Sequence, residues 1–237
     1  YLGIVWAFIQ PVITVLVYWF VFEVGFRGGS DSLPVPFVLY LVAGIIPWFF
    51  FQDGLTGGTN SLLEYSYLVK KVVFNISVLP VVKILSAVFV HVFFIFFITV
   101  LYCCYGHFPD LYYLQLLYYL AGLLLLILGI SYLTSAVVVF FRDLSQMISI
   151  ALQIGIWLTP IMWVAEDKLI HYPVVYKILK LNPVYYIVTG YRDVFIYKNW
   201  FWERPLWTAY FWCFVLGMLW LGTSVFKKLR VHFADVI

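Results

Sequence analysis

Charged residues are scarce in this chain: 11% of its 237 residues are Asp, Glu, Lys or Arg, against about a quarter in an ordinary soluble domain. The few charges nearly cancel. Fourteen basic against eleven acidic residues leave +3, too little to hold a nucleic acid. Cysteine is almost absent. Cys103 and Cys104 are neighbours and Cys213 lies in another apolar run. Adjacent cysteines seldom bridge and no metal-ligand spacing occurs, so all three read as small apolar residues and no metal site is expected. No G-x-x-x-x-G-K-[ST] run is present, and Gly57-Gly58-Thr59 lacks the lysine. The chain therefore has no P-loop with which to bind ATP. His91, His107, His171 and His232 are scattered, and no Ser-His-Asp constellation appears, so no catalytic site is expected. The opening run has no basic leader or cleavage site and is not a signal peptide. It begins at Tyr1 rather than Met, so a preceding piece is expected to be missing.

What replaces charge is apolar surface. Hydrophobic residues make up 65% and aromatics 22%, with a mean hydropathy of +1.02. A soluble globule of this length cannot hide that much apolar area, which excludes a soluble enzyme and a disordered chain. A bilayer core needs about 20 apolar residues in a helix. Six windows free of Asp, Glu, Lys and Arg meet that length: 4–22, 33–52, 84–109, 111–141, 144–165 and 205–226. They are too long for barrel strands and show no period of two. The expectation is an all-α membrane protein with six transmembrane helices in one domain, 1–237.

An even number of spans puts both termini on one side. With the termini inside, Lys70, Lys71, Lys83, Arg142, Lys227, Lys228 and Arg230 are inner, and Arg27, Lys168, Lys177, Lys180, Arg192, Lys198 and Arg204 are outer. The positive-inside rule does not separate equal sets. The dense Lys227–Arg230 cluster beside a span end favours a cytoplasmic C-terminus. No window carries a carboxylate at mid-depth. His91 alone reads as packed or paired with a backbone group, so proton or sodium coupling has little support. The halves show no matching Gly/Pro interruptions, so no internal repeat is expected.

Four segments have features beyond spanning. Residues 60–74 place Leu62, Tyr65, Val69, Val72 and Val73 on one helical face and Asn60, Glu64, Tyr67 and Lys71 on another. That pattern fits an interfacial helix with snorkelling lysines or a coupling helix pushed by a separate motor; periodicity does not choose. Between the last two windows, Asn182-Pro183 is a helix start. It predicts a short helix over 183–197, preceded by another over 174–180, both too short to span. Arg142-Asp143, after Phe140-Phe141, reads as an ion pair ending a helix or as an element of an inner gate. Trp6, Tyr18, Trp19, Phe22, Trp48, Phe49, Trp157 and Trp163 crowd three spans. Such rings form interfacial belts in any membrane protein. They also suit a conduit on which sugar rings stack and slide.

Several motifs recur in one order: Leu2-Gly3, Trp6 and Pro11; Pro47-Trp48-Phe49-Phe50; Ile76-Ser77-Val78-Leu79-Pro80; Val139-Phe140-Phe141-Arg142-Asp143-Leu144; Trp157-Leu158-Thr159-Pro160-Ile161; Leu181-Asn182-Pro183-Val184-Tyr185-Tyr186 with Tyr191-Arg192; and His232-Phe233-Ala234-Asp235-Val236. Over the whole chain this resembles the permease subunit of polysaccharide and polyol-phosphate ABC exporters, the teichoic acid, O-antigen and capsule exporter family. The resemblance implies a homodimer in the bacterial cytoplasmic membrane, both termini cytoplasmic. It implies two separate subunits that bind ATP and Mg, and a lipid-linked glycopolymer moved outward. It assigns ATPase coupling to Glu64, Tyr67, Lys70, Lys71 and Phe74, and an inner turn to Arg142 and Asp143. Spans one and five would line the conduit. Two short re-entrant helices over 174–197, with Asn182, Pro183, Tyr185, Tyr186, Tyr191 and Arg192, would form an outer gate. Asn75 departs from the family pattern, in which proline commonly follows the phenylalanine.

The function expected is export of an undecaprenyl-linked glycopolymer, wall teichoic acid or O-antigen. Likeness in Tyr18-Trp19-Phe20-Val21-Phe22 and in the closing motif leans toward the former. The alternative is a secondary transporter or channel for a smaller amphiphile, which would need mid-membrane ionisable groups.

Overall fold

A computed structural model describes residues 3–25, 33–69, 75–165, 169 and 171–233. Every regular element among them is helical. In chain order they are α1 (Gly3–Trp19), α2 (Phe37–Glu64), α3 (Ser66–Val69), α4 (Val78–Cys104), α5 (Gln115–Val138), α6 (Leu144–Leu158), α7 (Pro173–Leu179), α8 (Pro183–Arg192) and α9 (Pro205–Leu229). Proline opens α7, α8 and α9. Its fixed φ suits the first turn, where its missing N–H is not needed.

Among the described residues four elements are long and apolar enough to cross a membrane: Phe37–Glu64, Val78–Cys104, Leu111–Val138 and Pro205–His232. The expected first and fifth spans are shorter, at 17 residues in α1 and 15 in α6. A π-helical stretch, Phe20–Gly25, prolongs α1. α6 stops at Leu158 rather than at 165, because Pro160 lacks an N–H and drives Thr159 into an extended conformation (φ −81°, ψ 127°). The second span is longer than its charge-free window. α2 runs past Gln52 to Glu64 and absorbs Gly57-Gly58-Thr59 and the first residues of the expected 60–74 helix. Of that helix only the four-residue α3 stands apart among the described residues.

The core is built around α2. Its residues from Leu39 to Trp48 are buried on all sides, as expected of a helix with apolar residues around its whole circumference. It touches α1, α4, α5, α6 and α8. α5 packs most extensively on α9. There the two backbones meet: a Cβ on Gly129 would lie 2.8 Å from the Leu219 nitrogen, and one on Gly222 would overlap the Gly129 carbonyl oxygen. Small residues let membrane helices approach this closely. By contrast, Phe89, Phe96, Leu206 and Trp220 point outward, an arrangement stable only in a non-aqueous surrounding.

Candidate functional site

α1, α2, α4 and α6 enclose a cavity of about 570 Å³. Trp6, Tyr18, Phe49, Phe50 and Trp157 supply aromatic walls, and Gln10, Gln52, Gln153, Thr14 and Thr56 supply neutral polar groups. Among the described residues Asp53 is the only charged one on the wall, which His91 also lines. Helical spacing explains the lining. Gln10 and Thr14 are one turn apart on α1, as are Gln153 and Trp157 on α6, and Phe49, Asp53 and Thr56 on α2. Aromatic faces with amides and one carboxylate make a surface that can stack on sugar rings and exchange hydrogen bonds with hydroxyls.

Asp53 is a correction to the sequence reading. It closed the second window at its edge, but α2 continues for eleven residues beyond it, so a carboxylate lies within a spanning helix. Lys83, which was placed before the third span, lies inside α4 and pairs with Glu64. His91 is buried, and its partner is a side chain rather than backbone. Nε2 shares a 2.8 Å hydrogen bond with the Tyr191 hydroxyl, the Phe50 ring stacks at 4.6 Å, and Nδ1 has no partner.

The aromatic residues singled out from the sequence divide. Trp6, Tyr18, Phe49 and Trp157 border the cavity, and Tyr18 meets Trp157 edge-on across it at 6.4 Å. Trp48 does not border it. Trp48 is buried with its ring against Gly155, where a Cβ would meet it at 2.8 Å, and its indole N–H is unpartnered. Trp163 donates to the Trp157 carbonyl at 3.2 Å. Phe22 packs on Phe37, and Trp19 is partly exposed.

A second constellation holds the broken end of α6. Asn182 caps α8 by accepting from the Val184 N–H at 3.0 Å, while its amide donates to Thr159 Oγ1 at 2.9 Å. Arg192, 3% exposed, donates to the Pro160 and Ile161 carbonyls, each at 2.7 Å. Its guanidinium lies 3.7 Å from the Tyr40 ring centre. Space for it comes from Gly44, whose absent Cβ would sit 2.8 Å from Nη2. Thus α8 grips the peptide groups that Pro160 frees from helical bonding. Tyr186 joins a chain of hydroxyls: it bonds Tyr118 and Thr208 at 3.0 Å each, and Trp212 donates to Tyr118 at 2.7 Å. Tyr185 packs edge-on against Trp207. The six residues assigned to an outer gate are therefore brought together on α8 and its cap, four of them fully buried.

The remaining assignments lie apart. Arg142 and Asp143 are exposed between α5 and α6 and make no ion pair with each other, contrary to one reading of that turn. They are adjacent in a turn, with Asp143 already in αR geometry, and successive side chains on such a backbone do not face each other. Glu64 ends α2 and Tyr67 is exposed on α3. Lys70, Lys71 and Phe74 lie outside the described residues.

A bundle of long apolar helices around a central buried helix, with an aromatic-walled cavity beside it, defines a multi-pass membrane protein. The match to known proteins gives the family: the model for the ABC-2 type transporter covers residues 1–196, and the chain belongs to that family. Membership implies an ATP-binding partner subunit. The chain is 27% identical over 239 residues to an O-antigen export system permease of Klebsiella pneumoniae, covering all of this chain and 88% of that protein. A second Klebsiella pneumoniae permease of the same name is 26% identical over 238 residues, spanning 99% and 87%. One from Myxococcus xanthus is 27% identical over 240 residues, spanning 100% and 88%.

Proposed function

We propose that this chain is the transmembrane subunit of an ATP-driven exporter for an O-antigen-type polysaccharide carried on a polyprenyl lipid. It works as a homodimer with two ATP-binding subunits in the bacterial cytoplasmic membrane, both termini inside. The observation that carries the reading is the cavity among α1, α2, α4 and α6. Its wall alternates rings with amides and hydroxyls, the chemistry by which a sugar chain is held loosely enough to slide. The names of the full-length relatives support the same substrate class. Apolar side chains exposed on α1 and α6, Ile13, Leu16, Ile150 and Ile154 among them, support a second copy closing the cavity.

The charge on the wall favours a neutral polysaccharide over teichoic acid. Among the described residues its charged contribution is the Asp53 carboxylate, and no Lys or Arg lines it. A phosphate-rich backbone drawn past a carboxylate in a low-dielectric setting meets repulsion, which the nearby Lys83, already paired with Glu64, offsets only in part. The neutral sugar meets only acceptors and donors.

Depletion of the chain in its own host tests this. Lipid-linked material that accumulates inside should be a polysaccharide with phosphate only at its lipid end. A polyol-phosphate polymer would overturn the choice of substrate, and no accumulation of lipid-linked polymer would overturn the exporter reading.

A further inference from the structure

α2 and α6 each carry a polar stripe. Gln52, Thr56 and Asn60 recur every fourth residue on α2, and Ser145, Ser149 and Gln153 do so on α6. Gln52, Thr56 and Gln153 line the cavity. Asn60 and Ser145 lie beyond it: Asn60 is one turn past Thr56, and Ser145 is about two turns before Leu152, where α6 joins the wall. There the stripes meet, the Ser145 hydroxyl donating to Asn60 Oδ1 at 2.7 Å. Asn60, expected to open a separate helix, instead lies inside α2. Its amide nitrogen donates to the Thr56 carbonyl at 3.0 Å, which leaves Oδ1 for Ser145.

Among the described residues three polar ties join the end of α2 to other helices. Glu64 pairs with Lys83 of α4. Thr59 shares a 2.7 Å hydrogen bond with Thr134 of α5. Asn60 holds Ser145 of α6. The first two reach helices that pack extensively along α2, so they join parts of one body. The third reaches a helix in which only Leu152 and Ile156, of 15 residues, are buried. An element with so little buried surface separates at low cost, and one neutral hydrogen bond adds a modest hold. The other end of α6 is fixed more firmly. The Trp48 ring bears on Gly155, and Arg192 and Asn182 grip the turn that follows. The bond also lies between the two segments expected to face the motor: Glu64 is one turn past Asn60, and Arg142 is three residues before Ser145.

We propose that Asn60 and Ser145 are positioning residues that form a latch at the motor-facing end of the cavity. Bonded, they hold α6 against α2 and bar the cavity at that end. Nucleotide binding by the partner subunit draws the Glu64 turn away from the Arg142 turn and breaks the bond. α6 then swings about its gripped outer end, and the cavity opens toward the motor. The side to which it opens rests on the exporter reading; that the two helices separate with nucleotide rests on the family alone.

The test uses the full chain assembled with its ATP-binding subunit in membranes. Asn60→Cys and Ser145→Cys are combined in a chain whose Cys103, Cys104 and Cys213 are replaced by alanine. A short bis-methanethiosulfonate reagent bridges the pair, and a reductant releases it. Bridging is expected to be several-fold faster without nucleotide than with ATP and vanadate, and the bridged complex should export nothing until reduced. A bond with a structural role alone would persist in both states and tolerate the bridge. Equal bridging rates in the two states, or export by the bridged complex at the reduced rate, overturn the proposal. Absence of export by the wild-type complex counts against the exporter reading, and the bridging rates then decide the latch. Should the double-cysteine chain fail to assemble, Ser145→Ala and Ser145→Thr decide. Ser145→Ala should raise ATP hydrolysis several-fold in the absence of substrate, and Ser145→Thr, which keeps the hydroxyl, should match wild type. Hydrolysis by Ser145→Ala equal to wild type overturns the proposal.

Discussion

His91 and Tyr191 show what a single pair does across this bundle. They are 100 residues apart and join α4 to α8 through one 2.8 Å bond in a buried setting. Tyr191→Phe removes the hydroxyl and leaves both imidazole nitrogens unpaired. The expected loss is about 1–3 kcal/mol, the cost of a stranded buried polar group, read as a lower unfolding temperature in detergent. His91→Phe combined with Tyr191→Phe should recover part of that loss, because no polar atom is then stranded. Asn182 serves both α8 and the end of α6. Asn182→Ala should cost about 1–2 kcal/mol, more than a cap alone because Thr159 loses its partner. Asn182→Asp keeps the cap and loses only the donor to Thr159, so it should fall between.

At the scale of elements, proline punctuates the chain. It opens α7, α8 and α9 and, at 160, ends α6. Within α1 and α2, Pro11 and Pro47 interrupt nothing, which helices packed among other helices tolerate. The crossing of α5 and α9 depends on bare backbone. Gly222→Val would force the helices apart against Gly129 and should cost about 1–3 kcal/mol from overpacking. Gly217, on the same helix with open space around it, is the control, and Gly217→Ala should leave stability unchanged or slightly raised. Equal losses at 217 and 222 would mean that helix propensity, not contact, is being measured.

At the scale of the whole molecule, α2 both lines the cavity and ends at Glu64, one of the residues proposed for the motor contact. Asp53→Lys reverses the carboxylate charge on the cavity wall. It should abolish export of a neutral polymer by tying up the amides and crowding the wall, while Asp53→Asn should retain most of it; cell-surface polymer measured by labelling checks both. Lys71 is proposed for the motor contact. Lys71→Glu should reduce transport and the stimulation of ATP hydrolysis in the assembled complex together. Unchanged values of both would remove the coupling assignment.

The apolar runs alone made this a helical membrane protein, because lipid leaves backbone groups no partner but the next turn of their own helix. Prolines and Asn182 marked helix starts for the same local reason. The ends of the spans were less legible. A charge was taken as a boundary, yet α2 carries Asp53 and α4 carries Lys83 within the helix, since one borders a cavity and the other pairs with Glu64. The resemblance brought the α8 residues into one group, but their partners lay beyond it. Whether Arg192 caps the break after α6, whether Trp48 lines a conduit or fills the core, and which ring meets His91 depend on contacts between residues far apart in the chain. Periodicity gives each helix a face; only packing decides what that face meets.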